Sequence, residues 1–217
     1  MMAGAGPYGT NNTRIAETNM KLLSSGASPY VAKAAMAAKF ASVDLELVDV
    51  DSTNGDPALD AANPLSKIPC LVLDDGSGVF DSRAITRFLD RESGGKLFPS
   101  DNAQLLNAER MEAMCDGIND CAVGYMYEMR FRPEEKVHKP WQDRLWGKVE
   151  RALDAAMNNL PPAGADAHIG SVALAATLGY LDLRFAGKWE DGRANLANWA
   201  NEFDAAHPEL AGLKPRA

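Results

Sequence analysis

Two short stretches of this chain set a hydroxyl at the start of a helix. Ser28-Pro29 separates the apolar run Met20–Ser24 from an alanine-rich stretch with apolar residues at 31, 34, 35 and 38. Serine is a favoured helix N-cap and proline suits the first helical position. The dipole and unpaired N–H groups at such an end favour an anion. A serine hydroxyl there cannot exchange disulfides, but it can donate a hydrogen bond to a thiolate carried by another molecule. Asp81-Ser82 stands in a similar place, where the run Val79-Phe80 ends and Ile85, Phe88 and Leu89 begin one helical face. Ordinary helix capping is the plainer account of both pairs.

Other chemistry is thinly represented. The three cysteines, Cys70, Cys115 and Cys121, are odd in number and lack metal-ligand or Cys-x-x-Cys spacing. They read as free thiols packed as small hydrophobes. The three histidines, His138, His168 and His207, lie far apart, so no metal site is expected. A formal net charge of −8 argues against a nucleic-acid binder. No apolar run reaches the roughly 18 residues that span a bilayer, so no membrane partner is expected and the chain reads as cytoplasmic. Residues 1–19 lack periodicity and the apolar core of a signal peptide. They read as a disordered extension or tag, with the fold starting at Met20.

The positioning elements follow from periodicity. Met20–Ser24 is expected as a strand, Pro29 to about Lys39 as a helix, and the alternating Leu45–Val50 as a half-buried strand. Asp51–Lys67 is rich in Asp, Asn, Gly and Pro, a loop with one short helical turn. Ile68–Leu73 and Val79-Phe80 flank an Asp-Gly turn and read as an antiparallel hairpin. A helix follows from Ser82 to Gly94-Gly95. Beyond Leu97-Phe98-Pro99 the period becomes helical throughout: 103–132, 141–160 ending at Pro161-Pro162, the almost wholly apolar 169–186, and 194–206. The expected architecture is an α/β thioredoxin-like domain (βαβ-ββα) over 20–99, followed by an all-α helical domain over 103–217.

Ser28-Pro29-Tyr30-Val31 resembles the Cys-Pro-Tyr-Cys motif of glutaredoxins with both cysteines replaced. The whole organisation resembles the cytosolic glutathione transferase family. Ser28-Pro29-Tyr30 is similar to the Ser-Pro-Phe/Tyr element of its serine-type members. Asn63-Pro64-Leu65-Ser66-Lys67-Ile68-Pro69 is similar to the Asn-Pro-x-x-Lys-Val/Ile-Pro element before the third strand. Phe80-Asp81-Ser82-Arg83-Ala84-Ile85 is similar to the Glu/Asp-Ser-x-x-Ile element. His168-Ile169-Gly170-Ser171 falls at the start of the family's buried helix. There the usual Ser/Thr-x-x-Asp capping box is replaced, which predicts weakened caps at a cost of about 1 kcal/mol, with Ser171 as an alternative cap and His168 free to stack or hydrogen-bond. Ala32 stands where many relatives carry a basic residue.

The resemblance implies glutathione as co-substrate, with Ser28 stabilising its thiolate. It implies a cis Ile68-Pro69 peptide presenting Ile68 to an extended peptide, as an added strand would be. Asp81 would pair with the γ-glutamyl ammonium, Ser82 with its carboxylate, and Lys67 with a further carboxylate. A small electrophile would lie between the two halves, with Tyr30, Tyr125, Tyr127, Met129 and Arg130 (or Arg132) as candidate lining. The leading expectation is glutathione transfer. A non-catalytic, stress-associated glutathione-binding protein is the alternative, and a thiol-disulfide reductase is disfavoured because residue 28 is not cysteine. The resemblance also implies a C2 homodimer.

Overall fold

The computed structural model describes residues 19–217. The expectation for the N-terminal extension lies outside them apart from Asn19, whose amide donates to Asp74 Oδ1 at 3.0 Å. Strand β1 (Lys21–Ser24) leads into helix α1 (Pro29–Ala41) and strand β2 (Glu46–Asp49). Helix α2 (Pro57–Ala62), strands β3 (Cys70–Val72) and β4 (Gly78–Val79), and helix α3 (Ser82–Glu92) complete the first domain. The sheet runs β2-β1-β3-β4. β1 is parallel to β2, with Leu22 opposite Leu47, and antiparallel to β3, with Leu22 opposite Leu71. β3 and β4 form the expected hairpin. The domain is thioredoxin-like and the sheet is mixed.

Short local devices fix these elements. Asp56 caps α2 through Ala58 and Leu59, so the short turn expected in the 51–67 loop is a six-residue helix. Gly78 opens β4 where a Cβ would sit 2.1 Å from the Ala62 carbonyl oxygen, so no other residue fits. β2 is half-buried over the expected Leu45–Val50: Leu45 and Val48 are half-buried and Val50 is buried, while Glu46, Leu47 and Asp49 are exposed. It lies at the sheet edge, where Val48 packs against the small cluster of Leu23, Val50, Leu59 and Cys70.

The second domain is helical: α4 (Asn102–Arg130), α5 (Lys139–Met157), α6 (Ile169–Phe185) and α7 (Ala194–Ala206), closed by a 3-10 turn at Pro208–Leu213. α6 is buried along most of its length and packs on α4 and α1. Truncating a side chain such as Leu174 or Leu181 to alanine in such a setting costs about 2–5 kcal/mol. The sequence expectation of weakened caps on α6 is overturned. His168 Nδ1 accepts from the Gly170 amide at 3.1 Å, and the His168 amide donates to Ser171 Oγ at 3.3 Å. Ser171 also donates to the Pro162 carbonyl at 2.7 Å. A neutral imidazole nitrogen is an acceptor and replaces the usual hydroxyl, so the box is complete.

Helix α1 packs on elements of both domains. Its alanines at 34, 35, 37, 38 and 41 are all buried, facing the sheet and α3 on one side and α6 on the other. Small side chains on every face let both domains approach one helix closely.

Candidate functional site

Ser28 is the N-cap of α1. Its φ of −82° and ψ of 123° are extended, and its Oγ accepts from the Val31 amide at 3.3 Å. Accepting uses a lone pair and leaves the hydroxyl proton available to donate. The turn before it is closed by the Ser28 amide donating to the Ser25 carbonyl at 3.1 Å.

The 63–69 loop is built around one buried asparagine. Asn63 donates through Nδ2 to the Lys67 carbonyl at 2.7 Å, and its Oδ1 accepts from the Leu65 amide at 3.0 Å. Ser66, in the left-handed region at φ 50°, donates to Asp60 at 2.5 Å. This clamp delivers Ile68-Pro69 to the start of β3. The Ile68-Pro69 peptide is cis, as is Phe80-Asp81. Lys67 is exposed, Ile68 half-buried and Pro69 buried.

Asp81 caps α3, accepting from the Arg83 amide at 3.0 Å. Its carboxylate therefore performs the plainer role anticipated for it and still carries a second oxygen. Ser82, the first residue of α3, is buried at 3% exposure. Ser28 and Ser82 thus stand at the N-termini of two helices of one domain, with the Ile68-Pro69 loop before the strand between them in the sequence.

Sequence reasoning missed what lies behind these helices. Lys33, on α1, is 1% exposed, and its ammonium reaches Asp116 at 2.8 Å and Glu112 at 3.2 Å on α4. Asp116 also accepts from Arg83 at 2.7 Å, and Glu112 from Thr86 at 2.9 Å, both on α3. One turn further along α4, Asp120 accepts from the Tyr30 hydroxyl at 2.6 Å. Burial, and then the Asp120 carboxylate, push the Tyr30 phenol well above its usual range. Acids at 112, 116 and 120 follow helical spacing and tie α4 to both site-bearing helices. That spacing was the available signal; a lysine among alanines was not, because lone lysines are rarely buried.

The candidate lining residues separate into groups. Tyr125 packs edge-on against Trp146 and Phe185 with the Lys188 ammonium over its ring, inside the helical domain's aromatic cluster. Tyr180 joins this cluster against Phe185, and burial raises its phenol to about 12. Tyr127, Met129 and Phe131 are exposed at the end of α4, where Tyr127 and Phe131 meet edge-on. Arg130 reaches Thr53 at 3.5 Å across to the loop after β2. Arg132 instead pairs with Glu128 at 2.9 Å.

Cys70 and Cys115 are buried and Cys121 half-buried, and burial raises all three thiols, Cys115 to about 12. None has thiolate character. Among the described residues no group of three or more His, Cys, Asp or Glu is arranged to hold a metal. No described helix is long and apolar enough to cross a membrane.

Comparison with known proteins follows the same segments. A model of the glutathione S-transferase N-terminal domain matches residues 27–92, which contain Ser28, Lys67-Ile68-Pro69 and Asp81-Ser82. The structure of a glutathione S-transferase from Methylobacterium radiotolerans, in complex with glutathione sulfonate, aligns with a TM-score of 0.84 at 31% identity. The alignment covers 92% of this chain and 96% of that one. A glutathione S-transferase from Methylobacillus flagellatus with glutathione bound aligns with a TM-score of 0.83 at 32% identity, over 91% and 100%. The uncharacterized GST-like protein YibF of Escherichia coli is 28% identical over 169 residues, 76% of this chain and 83% of its own length.

Proposed function

This chain belongs to the glutathione S-transferase family, and from that premise we propose that it binds glutathione and transfers the thiolate to a small electrophile. The observation that carries the reading is Ser28. Its oxygen accepts from Val31 while its proton stays available at the N-terminus of α1. A thiol of ordinary pKa, about 8.5, is mostly protonated at neutral pH. A charge-assisted hydrogen bond and a helix N-terminus together supply roughly 1–3 kcal/mol, enough to lower it by one to two units.

The remaining roles follow the polarity of the peptide. Ile68, before the cis proline, offers its main chain to the cysteinyl residue. Ser82 and the α3 N-terminus receive the γ-glutamyl carboxylate, Asp81 its ammonium, and Lys67 a further carboxylate. Holding the tripeptide at several points orients the sulfur, and positioning is a large part of the rate in such additions. The electrophile lies towards Tyr30, Tyr127 and Arg130, with Tyr125 supporting them from the aromatic cluster. The working form is a C2 homodimer in the cytoplasm, and sedimentation at a single-chain mass would reject the dimer.

The test is conjugation of a panel of aryl halides and enones by the wild type and Ser28→Ala, with glutathione binding followed by calorimetry. Conjugation that falls at least tenfold in the variant supports the assignment. Equal rates remove Ser28 from the mechanism, and binding without any turnover replaces the transferase by a glutathione-binding protein.

A further inference from the structure

The turn that presents Ser28 is held from outside its own domain. Residues 214–216 run from the helical domain back to it. Pro215 is buried, and it lies over α6 at Gly179, where a Cβ would come within 3.1 Å of Pro215 Cδ and 3.3 Å of Lys214 Cβ. The glycine is a notch that admits the segment. Lys214 anchors it to Asp204 of α7 at 2.6 Å. The Arg216 main-chain N–H then donates to the Gly26 carbonyl at 2.9 Å, and the Arg216 side chain turns back to the Gly212 carbonyl at 3.0 Å.

Gly26 and Ala27 are the two central residues of the turn closed by Ser25 and Ser28. Fixing the Gly26 carbonyl fixes the peptide plane two residues ahead of the N-cap. Beneath the segment an open cavity of about 530 Å³ is lined by Ser25, Gly26, Leu47, Asp49, Lys214 and Arg216. The segment meets the turn through the Arg216–Gly26 hydrogen bond, with Arg216 Cγ and its carbonyl oxygen 3.4 Å from where a Gly26 Cβ would sit.

We propose that residues 214–216 form a strap that sets the Ser25–Ser28 turn, which makes the main-chain N–H of Arg216 a positioning group for Ser28. The inference rests on the glutathione reading only for its catalytic consequence. The strap itself is a statement about the turn.

Arg216→Pro removes the main-chain donor together with the side chain's bond to Gly212, since proline has no N–H; Arg216→Ala removes the side chain alone and keeps the donor, so the contrast between the two isolates the N–H. Gly179→Ala acts at the other end by lifting Pro215 and leaves residue 216 intact. Amide exchange of a peptide covering residues 22–31 should quicken about fivefold in Arg216→Pro and Gly179→Ala, the worth of one neutral hydrogen bond. It should stay within about twofold of wild type in Arg216→Ala, and α4 peptides should stay unchanged in all three. In the conjugation assay kcat/KM should fall by a similar factor in the first two variants, with its pH profile displaced upward. Unchanged exchange and rate in Arg216→Pro, or exchange quickened equally throughout the helical domain, would overturn the strap. Failure of the wild type to bind glutathione in calorimetry would sink the functional reading instead, and the exchange contrast would still decide the strap.

Discussion

The junction between α1, α3 and α4 and the open end of α4 use the same residue types to opposite ends. At the junction Lys33, Arg83, Glu112 and Asp116 form a neutral set in which Lys33, Glu112 and Asp116 are buried. At the open end Tyr127, Met129, Arg130 and Phe131 are exposed, and Arg130 makes one long contact with Thr53. Charge buried in this way fixes geometry, because an ammonium without its partner has no solvent to fall back on. Charge left in water fixes little. The proposed glutathione side of the site is thus attached to the buried junction and the proposed electrophile side to the exposed end.

Breaking that contrast should show first in stability. Asp116→Ala leaves buried Lys33 with Glu112 alone and frees Arg83, and denaturant unfolding should register a loss of roughly 3 kcal/mol. A loss under 1 kcal/mol would mean that the junction is wetter than its burial implies. Ser28→Ala should divide stability from activity. Removing an N-cap costs about 1 kcal/mol, whereas conjugation should fall at least tenfold, as stated above.

The His168 cap sharpens the comparison through pH. Burial lowers the His168 pKa, and its Nδ1 must be unprotonated to accept from Gly170. The unfolded chain therefore binds the proton more readily. The cap's contribution is present above the ordinary histidine value of about 6.5 and is lost as pH falls from there through the lowered native value. Thermal unfolding should record that loss in the wild type and a flatter pH response in His168→Asn, which caps without titrating. The smallest effect belongs to the open end. Tyr127→Ala should change stability by less than about 0.5 kcal/mol while altering the KM for the electrophile and leaving that for glutathione unchanged.

The fold was largely legible because its signals were local. The Asp-Gly turn, Pro161-Pro162 and the almost wholly apolar stretch at 169–186 each mark an element from a few neighbouring residues, and all appear in place. Ser28 and Asp81 were legible as caps for the same reason. The lysine at 33 was not, since its partners lie 79 and 83 positions away and nothing beside it announces burial. The α6 box was legible in part: His168 and Ser171 stood out as the residues for it, but pattern rules give the histidine's work to a hydroxyl. The 214–216 segment escaped notice because a Lys-Pro-Arg stretch carries no periodicity; its meaning lies in Gly179 and Gly26, which look like ordinary glycines until the chain returns to them.

Helix α1 belongs to the first domain by sequence, yet it completes the interior of both. Separate expression of either portion would leave that helix, or the surface made for it, open to water. The molecule should therefore melt in one step, and recombining portions from different relatives should succeed only where the faces of this shared helix are transplanted together with the surface that receives them.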